Sequence, residues 1–253
     1  MLRSFITGLA CFAALPVHAM VGGAPLARPE IARHVILIVG SRGNSCTGVV
    51  VATDLVLTAA HCVLPGAEYK WVDFATDGAP VLHDVMAVER HPDFNMASFL
   101  NSRATADVAL LKLASKLPPT FAPVALEKLA APKVGDRLLV AGYGVAIRGD
   151  GKSGGKVRSA LLVITGRPGT LQVRLVDPST GNRRAGLGAC TGDSGAPAFA
   201  IGGKPVVLGL VSWSTAANNE AGCGGLTGVT PLERYRSWIA DTAARLRSLI
   251  PNM

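Results

Sequence analysis

Apolar residues in this chain come in short runs, not in long helical stripes. Residues 34–39, 48–51, 55–58, 108–113, 138–141, 161–165, 171–175 and 206–211 are rich in Val, Ile and Leu, and turn-forming residues separate them. Several of these runs alternate apolar with non-apolar positions, as a strand with one buried face does. Spacing of this kind suits barrels or sandwiches better than alternating strand–helix units. The pattern therefore predicts an all-β protein. A helical period emerges only near the C-terminal end, where Leu232, Tyr235, Trp238, Ile239, Ala243, Leu246 and Leu249 share one face and Pro251 stops the run. Thr230 reads as the cap of this helix, Pro231 as its first turn and Glu233 as the partner in a capping box. The apolar face is expected to dock on the body of the protein, although Arg245 and Arg247 give it a membrane-surface alternative.

Two irregular stretches punctuate the strands. Residues 116–123 carry Pro118, Pro119 and Pro123, which interrupt ladder hydrogen bonding and mark a linker between two β halves, 20–120 and 121–253. Residues 142–156 (GYGVAIRGDGKSGGK) are rich in Gly and basic residues and read as a mobile surface loop. Gly151-Lys152-Ser153 imitates the end of a phosphate-binding loop, but Ala146 stands where the leading Gly belongs and no helical pattern follows, so that reading is rejected.

Composition narrows the class further. With 253 residues, 49% hydrophobic and 17% charged, the chain can bury a substantial core and is neither disordered nor a coiled coil. A formal charge of +8 favours acidic partners weakly and does not single out nucleic acid; Arg183-Arg184 reads as a solvated turn. Residues 1–19 combine Arg3, an apolar stretch from Phe5 to Val17 and a small residue, Ala19, at the end: a secretory signal peptide, too short to span a bilayer. No later run is long and apolar enough to span a membrane. Its removal takes away one charge (8 less the one of Arg3, leaving +7) and Cys11, leaving Cys46, Cys62, Cys190 and Cys223. Four cysteines in an exported chain imply two disulfides with three possible connectivities. The rival, a zinc site, lacks any CxxC pair, and no acidic calcium loop is visible, so neither metal nor cofactor is expected.

Three residues carry candidate chemistry. Ser194 lies in Thr191-Gly192-Asp193-Ser194-Gly195, where glycines let backbone approach backbone and aim successive N–H groups at one point. A serine hydroxyl is a poor nucleophile unless a base is positioned beside it. His61, in TAAHC, follows a β-type run and precedes a candidate disulfide half, a rigid place for such a base. Asp107 opens the apolar run DVALLKL, where a buried carboxylate needs a partner that an imidazole N–H would supply. Each signal is weak by itself; their joint occurrence in the order His, Asp, Ser is not.

With TAAHC, DVALLKL and TGDSGAP together, and with Ser212-Trp213 and Gly142-Tyr143-Gly144 in support, the sequence resembles the chymotrypsin/trypsin family of serine endopeptidases from Met20 through the terminal helix. The resemblance implies two six-stranded antiparallel β-barrels with a C-terminal helix. It makes Ser194 the nucleophile, His61 the general base, Asp107 its orienting carboxylate, and the N–H groups of Gly192 and Ser194 an oxyanion hole. It pairs Cys46 with Cys62 and Cys190 with Cys223. Ser212 would support Asp107, and Gly188, Ala189, Ser212, Trp213, Ser214 and Gly228 would line the specificity pocket. With Gly188 at its floor and no carboxylate there, the pocket is expected to take neutral, small to medium apolar side chains; Glu220, bending inward, would instead attract a basic one. Met20-Val21-Gly22-Gly23 matches the family's activating N-terminus, whose freed ammonium pairs with the carboxylate before the nucleophile, here Asp193. Cleavage after Ala19 would thus expose the activating amine directly.

The expected partner is a protein or peptide substrate, with a protein inhibitor as a further candidate. The chain is expected to act as a monomer exported to periplasm or medium, with no nucleic acid. The rival from another class is an inactive relative that serves as a binding protein. A quality-control protease with an attached peptide-binding module is disfavoured, because nothing after the terminal helix encodes one.

Overall fold

Antiparallel pairing closes the apolar runs into two barrels. The computed structural model describes residues 20–126 and 131–249; the segment read as a signal peptide lies outside the described residues, as does Pro251. In the first barrel, β1 (Val35–Gly40), β2 (Ser45–Ala52), β3 (Leu55–Thr58), β4 (Tyr69–Phe74), β5 (Pro80–Arg90) and β6 (Ala109–Leu113) join in the order β1-β2-β3-β6-β5-β4. The second has β7 (Arg137–Gly142), β8 (Arg158–Gly166), β9 (Val173–Val176), β10 (Pro197–Ala200), β11 (Val207–Ser214) and β12 (Thr227–Pro231) in the order β10-β11-β12-β9-β8-β7. Closure leaves neither sheet with a free edge. Short helices α1 (Pro29–Ala32) and α2 (Met96–Leu100) interrupt the first half, and α3 (Arg236–Arg247) ends the described chain. No helix among the described residues is long and apolar enough to cross a membrane.

Burial follows the side-chain period. In β8 buried and less buried positions alternate along most of the strand, whereas β3 and β6 are buried throughout because both their faces are covered. Ile36, Ile38, Val50, Val56, Trp71 and Leu111 fill the first barrel, and Leu138, Val140, Leu162, Leu175 and Val211 fill the second. A third cluster joins the two: Val49, Leu57 and Leu110 from the first barrel meet Ala141, Phe199 and Leu210 from the second and Leu232, Tyr235, Ile239 and Leu246 from the C-terminal segment. Each large side chain so buried contributes about 1.5–3 kcal/mol, so this shared core holds the barrels against each other. Lys112 is buried within β6 and is neutralised by Asp54 at 2.6 Å.

Four strands were not read from the sequence: β4, β5, β10 and β12. β5 is exposed or half-buried along its whole length, so its pattern carries little apolar signal. β12, Thr-Gly-Val-Thr-Pro, was read as the start of the terminal helix. Instead Thr230 pairs with Leu210 and Pro231 with Gly209, and α3 begins at Arg236 with no side-chain cap. Glu233 closes no capping box; it binds Arg167 at 2.6 Å. Pairing of the candidate cap itself with β11 overrode the local helix signal. The stripe itself docks on the body, with Ile239, Ala243 and Leu246 buried.

The stretch 142–156 also differs from the expected mobile loop at its start. Gly142 ends β7, and both Gly142 and Gly144 lie against the Asp193 carboxylate, where a Cβ would fall 2.2 Å from Asp193 Oδ1 and 2.4 Å from its Cγ, respectively. The proline-bearing stretch 116–123 runs along the first barrel, with Leu117 N–H donating to Thr53 O and Ala122 N–H to Arg33 O.

Candidate active site

The register of one strand pair brings two of the three candidate residues together. In β3–β6, Thr58 lies opposite Ala109, so the residues just after β3 and just before β6 meet at the same barrel mouth. His61 lies three residues beyond Thr58 in a 3-10 turn, and Asp107 two residues ahead of Ala109. The buried Asp107 carboxylate receives His61 N–H at Oδ1 (2.9 Å) and lies 2.8 Å from His61 Nδ1 through Oδ2. Ser212 Oγ donates to the same Oδ2 at 2.5 Å. Three donors thus hold one carboxylate in place, and the imidazole is fixed by its own backbone as well as by its ring. On its open side the ring stacks on Phe99, with centroids 4.3 Å apart and planes 15° from parallel.

Ser194 comes from the second barrel and is tied to the first through backbone. Thr47 in β2 donates its N–H to Ser194 O (2.8 Å) and its hydroxyl to Gly192 O (2.8 Å), and Thr58 Oγ1 donates to Thr47 O (2.8 Å). Gly195, at φ +80°, fits against this seam: a Cβ there would lie 2.2 Å from both Thr47 O and Thr58 Oγ1. Ser194 therefore sits beside the end of β3, from which His61 follows. Among the described residues its hydroxyl makes no hydrogen bond, so the imidazole–carboxylate link is formed and the hydroxyl–imidazole link is not. Such links commonly tighten only when substrate is bound.

The turn around Ser194 exposes a defined pair of donors. Cys190 N–H is taken by Asp193 Oδ2, Asp193 N–H by Cys190 O, and Gly195 N–H by Val211 O. Among the described residues the N–H groups of Gly192 and Ser194 have no acceptor. Gly192 has φ +93°, and a Cβ on it would fall 2.9 Å from Gly144 Cα, so a side chain there would be both strained and obstructed. Cys190 is bonded to Cys223 and Cys46 to Cys62, which fixes the chain on both sides of the site.

Asp193 is fully buried, accepting Gly144 N–H at Oδ1 and Cys190 N–H at Oδ2, each at 2.9 Å. Burial pushes its pKa up to about 7, and it has no ion-pair partner among the described residues. Met20 is equally buried, packed among the apolar residues of the second barrel. Val21 bridges to Gly188, and Gly22, at φ +86°, lies against Gly186 so closely that a Cβ would be 2.1 Å from its carbonyl oxygen.

The residues read as a specificity pocket do not all face one space. Gly188 packs on Gly224, Ala189 belongs to the core of the second barrel, and the Trp213 indole lies on Gly228, where a Cβ would fall 2.0 Å from the ring. Ser214 Oγ donates to Gly222 O. The cavity next to Ser212–Ser214, about 420 Å³, opens toward Phe99, Arg103, Arg174 and Glu220. Glu220 thus lines that groove rather than standing at Gly188. Thr47, Phe99, Arg103 and Arg174 were not singled out from the sequence. Nothing local marks them, since each acquires its place only through contact with a distant segment.

A family model for trypsin matches residues 20–239. Alkaline trypsin C of Manduca sexta is 30% identical, covering 93% of this chain and 96% of its own length, and the vitellin-degrading protease of Bombyx mori is 29% identical over 90% and 87%. Among solved structures, the mouse serine protease neuropsin superposes with a TM-score of 0.70 at 23% identity, covering 88% of this chain and 100% of its own. Human heparin binding protein gives 0.68 at 22% identity, over 92% and 100%. The paired barrels and the family match over residues 20–239 together establish that the chain belongs to the trypsin family and is a serine-type endopeptidase.

Proposed function

We propose that Ser194, His61 and Asp107 perform peptide-bond hydrolysis in this chain through an acyl-enzyme. The observation that carries this is the pair of N–H groups on Gly192 and Ser194, unclaimed among the described residues, at a serine whose backbone is tied through Thr47 and Thr58 to the strand end from which His61 follows. Ser194 Oγ attacks the scissile carbonyl carbon while its proton passes to His61 Nε2. The carbonyl oxygen takes up negative charge between the two N–H groups, where each donor of this kind contributes about 3 to 4 kcal/mol in serine hydrolases. Asp107 holds the imidazole so that Nε2 is free to accept and stabilises the cation that forms. As the C–N bond breaks, His61 returns the proton to the leaving amine. Water then repeats the sequence on the ester, which releases the new carboxylate and restores the Ser194 hydroxyl.

The site takes neutral, small to medium residues before the cleaved bond. Gly188 supplies no charge, and the Trp213 ring fills the space beside Gly228. Pockets of this kind discriminate by only about 1–3 kcal/mol per methylene, so selectivity is broad. The N-terminus at Met20, freed by cleavage after Ala19 on export, supplies the cation that the buried Asp193 lacks.

Labelling with a fluorophosphonate, followed by peptide mass mapping, tests the reading. The label should land on Ser194 of a chain that begins at Met20 and should be lost in Ser194→Ala. Failure of the wild-type chain to label or to cleave any peptide would instead support a binding protein. A chromogenic peptide panel tests the pocket: a strong preference for Arg over Ala, Val or Leu would overturn the neutral reading and favour Glu220 as its determinant.

A further inference from the structure

The groove beside the candidate active site carries charge that hydrolysis itself does not use. Arg103, in the loop after α2, and Arg174, in β9, reach it from opposite barrels, and Phe99 and Trp213 line the same groove. Both arginines are exposed, and among the described residues neither guanidinium has an ion-pair or hydrogen-bond partner. Glu220 is the one acidic residue lining the groove, against two guanidiniums. A second cavity of about 450 Å³ continues from Arg174 and Asn219 toward Arg167, whose own charge is already taken up by Glu233 at 2.6 Å. The positive excess is therefore carried by Arg103 and Arg174.

On the pocket reading above, the residue before the cleaved bond lies against Ser212, Trp213 and Ser214, so the residues upstream of it are the ones nearest the groove that the same three line. We infer that the groove selects substrates with an acidic side chain, Asp or Glu, two to four residues upstream of the cleaved bond, held by Arg103 and Arg174. The inference rests on the hydrolytic reading of Ser194. Planar guanidiniums suit carboxylates because they donate in parallel pairs, and the aromatic faces hold the stem of the acidic side chain. Without its first 19 residues the chain still carries a formal charge of +7 (8 less the one of Arg3), which draws acidic segments toward the groove before contact.

Fluorogenic peptides that differ only in Glu, Ala or Lys at these upstream positions test the inference. They are to be assayed with the wild-type mature chain and with Arg103→Ala, Arg174→Ala and the double variant. For an exposed pair, each arginine should raise kcat/KM for the Glu peptide about 2- to 5-fold over the Ala peptide at low ionic strength. The gain should fade as salt shortens the screening length to about 3 Å near 1 M. In the double variant the ratio of kcat/KM for the Glu peptide to that for the Ala peptide should fall to about one. Equal cleavage of Glu and Lys peptides, a Lys preference, or a Glu preference that survives in the double variant would overturn the inference. Fluorescence-polarisation binding of the same peptides to Ser194→Ala separates the two readings. Tighter binding of the Glu peptide that depends on both arginines, with no hydrolysis by wild type, would sink the Ser194 chemistry and keep the groove. Hydrolysis without such selectivity would do the reverse.

Discussion

Asp193 offers a substitution whose effect should change sign with the state of the N-terminus. In a chain that still carries residues before Met20, the nitrogen of Met20 is an amide and brings no charge. The carboxyl, fully buried, has its pKa pushed up from 3.8 to about 7 by desolvation, against the two N–H bonds that favour its ionised form. A rise of roughly three units corresponds to about 4 kcal/mol. Because the folded state keeps its proton over that interval and the unfolded state does not, the contribution of Asp193 to the stability of the extended chain is most favourable below pH 4, declines between pH 4 and 7, and is level above. Asp193→Asn removes that penalty. Its amide turns an NH2 toward either Cys190 N–H or Gly144 N–H, which returns about 1–3 kcal/mol, so the extended variant should be about 1–3 kcal/mol more stable than its parent at pH 8.

In a chain beginning at Met20 the sign reverses. On the activation reading proposed above the ammonium pairs with Asp193, so the carboxyl pKa should fall and the amine pKa should rise above its ordinary value of about 8. That contribution is fully present below the unfolded amine pKa and is lost as pH climbs through the raised folded value. Asp193→Asn then destabilises at pH 7, and activity fades in alkali. Urea unfolding followed by tryptophan fluorescence, from pH 4 to 10 and in a Ser194→Ala background to prevent self-cleavage, measures both chains. If the substitution has the same sign in both, Met20 does not pair with Asp193 and the activation reading is wrong.

Three further outcomes are expected. Gly195→Ala places a methyl group 2.2 Å from Thr47 O and Thr58 Oγ1 at φ +80°, so it should cost at least about 3 kcal/mol in urea unfolding and remove fluorophosphonate labelling. Ser212→Ala deletes a donor to the buried Asp107 carboxylate, worth about 1.5–3 kcal/mol, and should lower kcat roughly 10- to 100-fold with KM little changed. Asp54→Ala strands the buried Lys112 ammonium and should destabilise by about 3 kcal/mol, whereas adding Lys112→Met should restore most of the loss; equal stability of the single and double variants would show that the pair is not the cause.

The sequence by itself determined the apolar runs and the local motifs. Leu55–Thr58 was read with its observed bounds because a strand buried on both faces is apolar at nearly every position. β5 was missed because a half-exposed strand carries weak contrast, and β12 because Thr-Gly-Val-Thr-Pro imitates a helix start until a neighbouring strand pairs with it. The residues His61, Asp107 and Ser194 could be named from their surroundings, since turn glycines and a charge at the mouth of an apolar strand are local signals.

Tertiary structure alone decided what those residues face. The β3–β6 register set His61 against Asp107, and the seam of Thr47, Thr58 and Gly195 brought Ser194 across from the other barrel. It also packed Ala189 into the core, laid Trp213 over Gly228, and brought Arg103 and Arg174 from different barrels to one groove. Local propensity acts over a few residues, whereas barrel closure pairs strands as distant as Leu55 and Lys112, and the bonds of Thr47 to Gly192 and of Ser212 to Asp107 span more than a hundred residues, so such contacts leave no trace in any short window of sequence.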